Sequence, residues 1–298
     1  MKKKLQGSAY LLLATVIWGS AFVSQSVGMD HIGPFTFQAV RCLLAVVGML
    51  PVIALIDHFQ KSTQGFWRKW ADPKLWKAGL LCGIPLFLAC NLQQLALVDT
   101  DAGKSGFLTA MYIIIVPIIG IFLKKKTTFL VPISVILATV GLYCLSCVGV
   151  TSISAGDLLL LGCAFMFAVQ ITFVDIFVKD IDILRLNTIQ ALVCSILSAI
   201  VMLFTETPTW SGIVACTLPL AHTGFLSMGA AYTLQILGQK NLETTAASLL
   251  MSLESVFAVI FGAMILGETM SQYEIIGCIL MFIAVILAQL PAPKKKTA

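Results

Sequence analysis

Apolar stretches long enough to cross a bilayer follow one another along nearly the whole of this 298-residue chain. A helix needs about 20 apolar residues to span the hydrocarbon core. Ten such runs are legible, at about 6–27, 34–56, 76–97, 102–123, 129–147, 156–178, 184–204, 217–238, 244–265 and 273–290. The connections between them are too short for a soluble domain. Hydrophobic residues make up 59% of the chain and charged residues 11%, where soluble domains carry roughly 25% charged residues. Such a surface would be adhesive in water. The expected fold is therefore an all-α membrane protein of ten transmembrane helices.

The basic residues set the orientation, because cytoplasmic loops retain Lys and Arg. With the N-terminus inside, 17 of the 19 basic residues fall on the cytoplasmic side. They are Lys2–Lys4, Lys61, Arg68, Lys69, Lys74, Lys77, Lys124–Lys126, Lys179, Arg185, Lys240 and Lys294–Lys296. Lys104 alone lies outside, and Arg41 lies within a span. The expected location is a plasma membrane, crossed many times, with both termini cytoplasmic. The N-terminal lysines and the apolar run after them read as an uncleaved first span, since no small-residue cleavage site follows.

The chain also reads as one pattern written twice. A shift of 149 lays Gly7 on Gly156, Leu11 on Leu160 and Leu43 on Leu192; further along, a shift of 142 lays Leu92-Gln93-x-Leu95 on Leu234-Gln235-x-Leu237. Lys124–Lys126 then meet Leu266, Gly267 and Glu268, so equivalent loops carry opposite character. The halves, 1–148 and 149–298, each hold an odd number of spans and must insert in opposite orientations. Two inverted five-helix repeats are the arrangement of secondary transporters, whose site lies at the repeat interface.

Other function classes find little support. The net charge of +5 is spread over loops, with no soluble surface on which a nucleic-acid patch could form. Cys144-x-x-Cys147 has metal or redox spacing, but His31, His58 and His222 lie at scattered depths, and the nine cysteines read as packing residues. No cofactor or metal is implied. Asp99 and Asp101 form a loop pair rather than a catalytic one, and no nucleotide-binding motif is present. The Phe66-Trp67-Arg68-Lys69-Trp70 segment reads as an interfacial connector, its rings toward lipid and its charges toward headgroups.

Function is expected where polar groups lie at membrane depth, since burying them is costly. Glu254 sits eleven residues beyond Glu243, about 16 Å into a core of roughly 30 Å. A carboxylate at that midplane must be paired, water-lined or protonated. Arg41 lies seven residues in from Pro34, about 10 Å deep. Around them come Gln93, Asn91 and Tyr112 from the first half, and Gln170, Gln190, Tyr232, Gln235 and Ser248 from the second. The shift pairs Gln93 with Gln235, Tyr112 with Glu254, and Arg41 with Gln190. Singly, such groups bind helices together; as a set, some line a pathway. Trp18-Gly19-Ser20, matched by Phe167-Ala168, adds an aromatic wall beside a small residue.

The run Tyr232-x-x-Gln235-x-x-x-Gln239-Lys240, followed by Ser252-Leu253-Glu254-x-Val256-Phe257-Ala258 and Leu266-Gly267-Glu268, resembles the second repeat of EamA-type carriers. These belong to the drug/metabolite transporter superfamily. Trp18-Gly19-Ser20-x-Phe22 and Arg41 resemble the first repeat. The resemblance implies ten spans, cytoplasmic termini, a central cavity between the halves and export of small metabolites such as amino acids. Ser255 stands where such carriers commonly have Pro, and Phe167 where Trp is usual. The partners implied are a small-molecule substrate and the lipid bilayer, with protons and a second copy of the chain left open. An uncoupled facilitator is the alternative within transport, and a membrane-embedded enzyme the alternative outside it.

Overall fold

The computed structural model describes residues 2–59, 66–100, 102–124, 130–146, 154–266 and 271–290. These residues fold into helices with no strand among them. In chain order the helices are α1 (Lys2–Gly28), α2 (Pro34–Phe59), α3 (Phe66–Trp70), α4 (Pro73–Ala96), α5 (Ala102–Ala110), α6 (Tyr112–Phe122), α7 (Leu130–Ser146) and α8 (Ala155–Phe177). Then follow α9 (Ile183–Thr205), α10 (Trp210–Ala215), α11 (Thr217–Ala221), a π-helix (His222–Ala231), α12 (Tyr232–Gln239), α13 (Thr244–Met251), α14 (Leu253–Leu266) and α15 (Gln272–Gln289). Seven helical stretches are long and apolar enough to cross a membrane, and Leu130–Cys144 and Gln272–Ala288 are shorter apolar helices. The run at 217–238 is not one helix: it passes from α11 through ten residues of π-helix into α12.

Helix starts follow from local chemistry. Asp72, Asp182 and Ser154 each accept a backbone N–H at the first turn of α4, α9 and α8, and Ser154 and Asp157 close a capping box. Pro34 and Pro73 open α2 and α4, where a missing N–H costs nothing.

The runs at 102–123 and 244–265 each break once, at Met111 and at Ser252. The second break needs no proline. Ser248, Ser252 and Ser255 hydroxyls donate to the carbonyls of Thr245, Leu249 and Ser252, three residues back in each case, at 2.7–2.8 Å. Such back-bonding competes with the α-helical ladder and bends the helix. The kink resumes as helix just before Glu254, and its counterpart resumes at Tyr112.

Packing follows the 142–149 shift. Helix α2 packs on its counterpart α9 and α7 on its counterpart α15; α5 packs on α14 as α13 packs on α6, and α4 packs on α8 as α12 and the π-helix pack on α1. Each of these pairings maps onto itself or onto another when the halves are exchanged. Close approach of α1 to α14 depends on Gly19, where a Cβ would stand 2.7 Å from the Phe257 carbonyl carbon and 2.8 Å from the Ala258 nitrogen. Small residues at such crossings let membrane helices gain van der Waals contact.

The helix ends are fastened at both faces. At one, Glu206 accepts from the backbone N–H groups of Phe35 and Thr36 and from the Thr36 hydroxyl, tying the end of α9 to the start of α2. Lys104 there pairs with Asp157 at 2.7 Å. At the other face Arg185, 1% exposed, pairs with Asp57 and Asp182, and Lys69 joins Asp57 at 2.7 Å.

This last cluster corrects one sequence expectation and adds to another. Arg185, counted among the basic residues of the cytoplasmic side, is buried at the head of α9. The segment Phe66–Trp70 is not simply laid toward lipid: Phe66 and Trp70 cover the Arg185 guanidinium at 5.6 and 5.3 Å, and only Trp67 projects, 80% exposed. A cation–π contact in a desolvated place is the stronger use of those rings. Lys61, Asp101, Lys125, Lys126, Cys147, Ser152, Gly267, Glu268 and Lys294–Lys296 lie outside the described residues.

Candidate functional site

A narrow cavity of about 30 Å³ lies in the middle of the bundle. Seven of the sequence candidates line it: Trp18, Arg41, Gln93, Tyr112, Tyr232, Gln235 and Glu254. Eight of its fourteen lining residues form four equivalent pairs under the internal shift: Trp18 with Phe167, Phe22 with Ile171, Gln93 with Gln235, and Tyr112 with Glu254. A space lined by both members of each pair lies between the halves.

Two of the equivalences are direct contacts. The Tyr112 hydroxyl donates to Glu254 Oε1 at 3.0 Å. Cys90 and Tyr232, also 142 residues apart, meet Sγ to Oη at 3.6 Å. Residues that a two-fold operation exchanges touch each other only near its axis. Glu254 therefore stands on the line between the halves, at the turn where α13 gives way to α14, 7% exposed. Among the described residues lining the cavity it is the only carboxylate.

Arg41 faces the same space from α2, 2% exposed. Among the described residues it makes no ion pair with Glu254. Its Nη1 donates to Gln25 Oε1 at 2.6 Å, and its Nε has no acceptor. Trp18 packs edge-on against Tyr232 at 5.0 Å between ring centroids, with its Nε1–H unpaired. Gln93 donates to Thr109 Oγ1 at 3.1 Å. Gln235 donates to Gln170 and Gln239 at 3.1 and 3.0 Å, leaving its own Oε1 without a donor. The wall is thus aromatic and apolar, with a few fixed polar groups, as small-molecule sites are.

The other candidates lie behind that wall. Gln170 and Gln190 bond each other at 3.2 Å, and Gln190 continues to Asn187 at 2.8 Å. Asn91 donates to the Phe87 carbonyl and to Ser198, both at 2.8 Å. Ser248 bonds back to Thr245 at 2.8 Å. These four join helices or shape the kink; bonds of this kind contribute about 0.6 kcal/mol each. Gln25, Ser227 and Met251 line the cavity without having been singled out in the sequence. Ser227 belongs to the π-helix, a form that concentrates at functional sites. Near its start His222 meets Ser20 and Ser24 at 3.2 and 2.8 Å, holding it to α1.

No group of three or more metal-ligating residues exists among the described residues, and the eight described cysteines are free thiols. A second hollow of about 460 Å³ opens at the face carrying Lys4, Lys179, Lys240 and Glu243.

Comparison with known proteins agrees with the duplication. The model of the EamA-like transporter family matches the chain twice, over residues 5–147 and 154–290. An uncharacterized transporter of Archaeoglobus fulgidus is 31% identical over 291 residues, covering 97% of this chain and 87% of its own. The uncharacterized transporter YoaV of Bacillus subtilis is 22% identical over 282 residues, covering 91% and 92%. A crystal structure of a protein 17% identical in sequence superposes with a TM-score of 0.72 over 94% of this chain and 97% of that one, which extends the likeness to the fold.

Proposed function

We propose that this chain, which belongs to the EamA-like transporter family, is a secondary active carrier that exports a small polar or amphipathic metabolite, such as an amino acid, across the plasma membrane. Its ten spans form two inverted five-helix repeats, 1–148 and 149–298, with both termini cytoplasmic and the central cavity as the substrate site. One observation carries this reading: the cavity is lined by four residue pairs equivalent under the internal repeat, with Tyr112 and Glu254 in contact. Alternating access works by rocking one such half against the other around a fixed site. No nucleotide-binding motif supplies another energy source, so a solute or proton gradient drives the cycle, and Glu254 is the group through which it acts.

The direct test compares the media of cells with and without the chain. A carrier of this kind releases a defined set of small solutes into the medium only when it is present. Identical media would contradict it.

The inverted repeat makes a separate prediction about sidedness. Tags at Asp30 and after Lys240 are expected to lie on opposite sides of the membrane, Asp30 outside and Lys240 inside. Impermeant labelling of intact cells reads this directly. Labelling of Lys240 from outside would break the inverted arrangement.

A further inference from the structure

Among the described residues, other cations that leave bulk water are matched by carboxylates. Arg185 has Asp57 and Asp182, Lys69 has Asp57, and Lys104 has Asp157. Arg41 departs from that rule. It is 2% exposed, lines the central cavity and has no carboxylate partner among the described residues. Glu254 shares the cavity yet takes its hydrogen bond from Tyr112. A buried guanidinium left without a counter-charge is costly.

What holds Arg41 is neutral. Gln25 Oε1 accepts from its Nη1 at 2.6 Å. The Gln25 amide is fixed in turn, its Nε2 donating to the Ala21 carbonyl at 3.3 Å, while its backbone carbonyl accepts from Gln94. An amide in this place aims the guanidinium without cancelling its charge. Two donors nearby have no acceptor, Arg41 Nε and Trp18 Nε1, and both belong to residues lining the cavity. An unmet charge and two unmet donors ask for an anion.

Building on the carrier reading above, we propose that the solute bears an anionic group (a carboxylate, sulfonate or phosphate) seated against Arg41 and Trp18. Gln25 sets this specificity as a positioning residue, because it orients Arg41 and leaves its charge available. A glutamate in its place would close a buried, charge-assisted pair and occupy the guanidinium.

The test is release of metabolites into the medium by cells carrying the wild type, Gln25→Glu or Arg41→Gln, each normalised to the amount of protein in the membrane. The solutes released by the wild type are expected to carry an anionic group. Gln25→Glu and Arg41→Gln should each lower their release at least about tenfold, and solutes lacking an anionic group should not fall in parallel. A purely structural role for Gln25 would lower every solute alike. Wild-type release confined to solutes without an anionic group overturns the proposal, and so does an unchanged profile in Gln25→Glu at normal membrane level. If Gln25→Glu does not insert, Arg41→Gln decides, and retention of anion release there overturns it. Absence of any release by the wild type overturns the carrier reading, and this proposal with it.

Discussion

Glu254→Gln is expected to insert and fold normally and to lose concentrative transport. The substitution keeps the side-chain volume and an oxygen to accept from Tyr112, now 3.0 Å from the carboxylate, so the kink between α13 and α14 has no reason to move. What disappears is the only carboxylate among the described residues lining the cavity. One pH unit of proton gradient is worth about 1.4 kcal/mol, a concentration ratio of about tenfold, and the membrane potential adds about 2.3 kcal/mol per 100 mV for each charge moved. A carrier coupled through Glu254 forfeits at least the first of these and relaxes toward equal concentrations on the two sides. Downhill exchange survives, since binding and rocking do not require the coupling group. Flux into inside-out vesicles with an imposed pH gradient measures both. Full accumulation by the variant, with an unchanged response to the gradient, would leave Glu254 as a structural hydrogen-bond acceptor and favour an uncoupled facilitator.

The largest loss of stability is expected from Arg185→Met. The side chain is 1% exposed, pairs with two carboxylates and is covered by the rings of Phe66 and Trp70. Removing one partner of a buried ion pair costs about 3–5 kcal/mol, because the other partner is left uncompensated; each lost cation–π contact adds about 0.5–2 kcal/mol. Lys69 still neutralises Asp57 in part, at 2.7 Å, which places the outcome toward the lower end. Thermal unfolding of the purified protein in detergent should show a clear fall in midpoint, and Asp57→Asn a smaller one, since Asp182 keeps its bond to Arg185 at 2.7 Å. A midpoint unchanged by Arg185→Met would mean that the cluster contributes nothing to holding α2, α3 and α9 together.

The contrast between these two residues shows what a sequence of this kind carries. Glu254 was legible because a carboxylate inside an apolar run has a depth that can be counted, and because the internal shift pairs it with Tyr112. Gln93 and Gln235 were legible for the same reason: a pseudo-two-fold relation makes one half a guide to the other. The burial of Arg185 was not legible, because the distribution of basic residues reports the side of the membrane and says nothing of burial. Asp57, 128 residues away, holds it in the protein.

Gln25 escaped because the shift that pairs Trp18 with Phe167 lays Gln25 on Val174, an apolar residue that flags nothing. Its partnership with Arg41 depends on how α1 meets α2, a tertiary fact. The π-helix over His222–Ala231 has no periodic signature either, since its small and apolar residues suit an α-helix equally well. The kink before Glu254 was obscured by the expectation of a proline; serines at three- and four-residue spacing produce it by a different route. Conversely, Asn91, Gln170, Gln190 and Ser248 were grouped with the cavity on polarity, and Gln190 also on its pairing with Arg41; neither separates a residue that faces the cavity from one that faces a neighbouring helix.

The central claim is that the space between the halves opens to each side in turn, and Gln93 and Gln235 test it most directly. Single cysteines at these two positions, in a background freed of the nine native cysteines, are treated with an impermeant thiol reagent from outside in intact cells and from inside in inverted vesicles. Alternating access predicts that the same cysteine reacts from both sides, and that a solute released by the wild type slows both reactions. Cysteines at both positions that stay unreactive from either side would contradict the account and leave the two glutamines as bonds between helices.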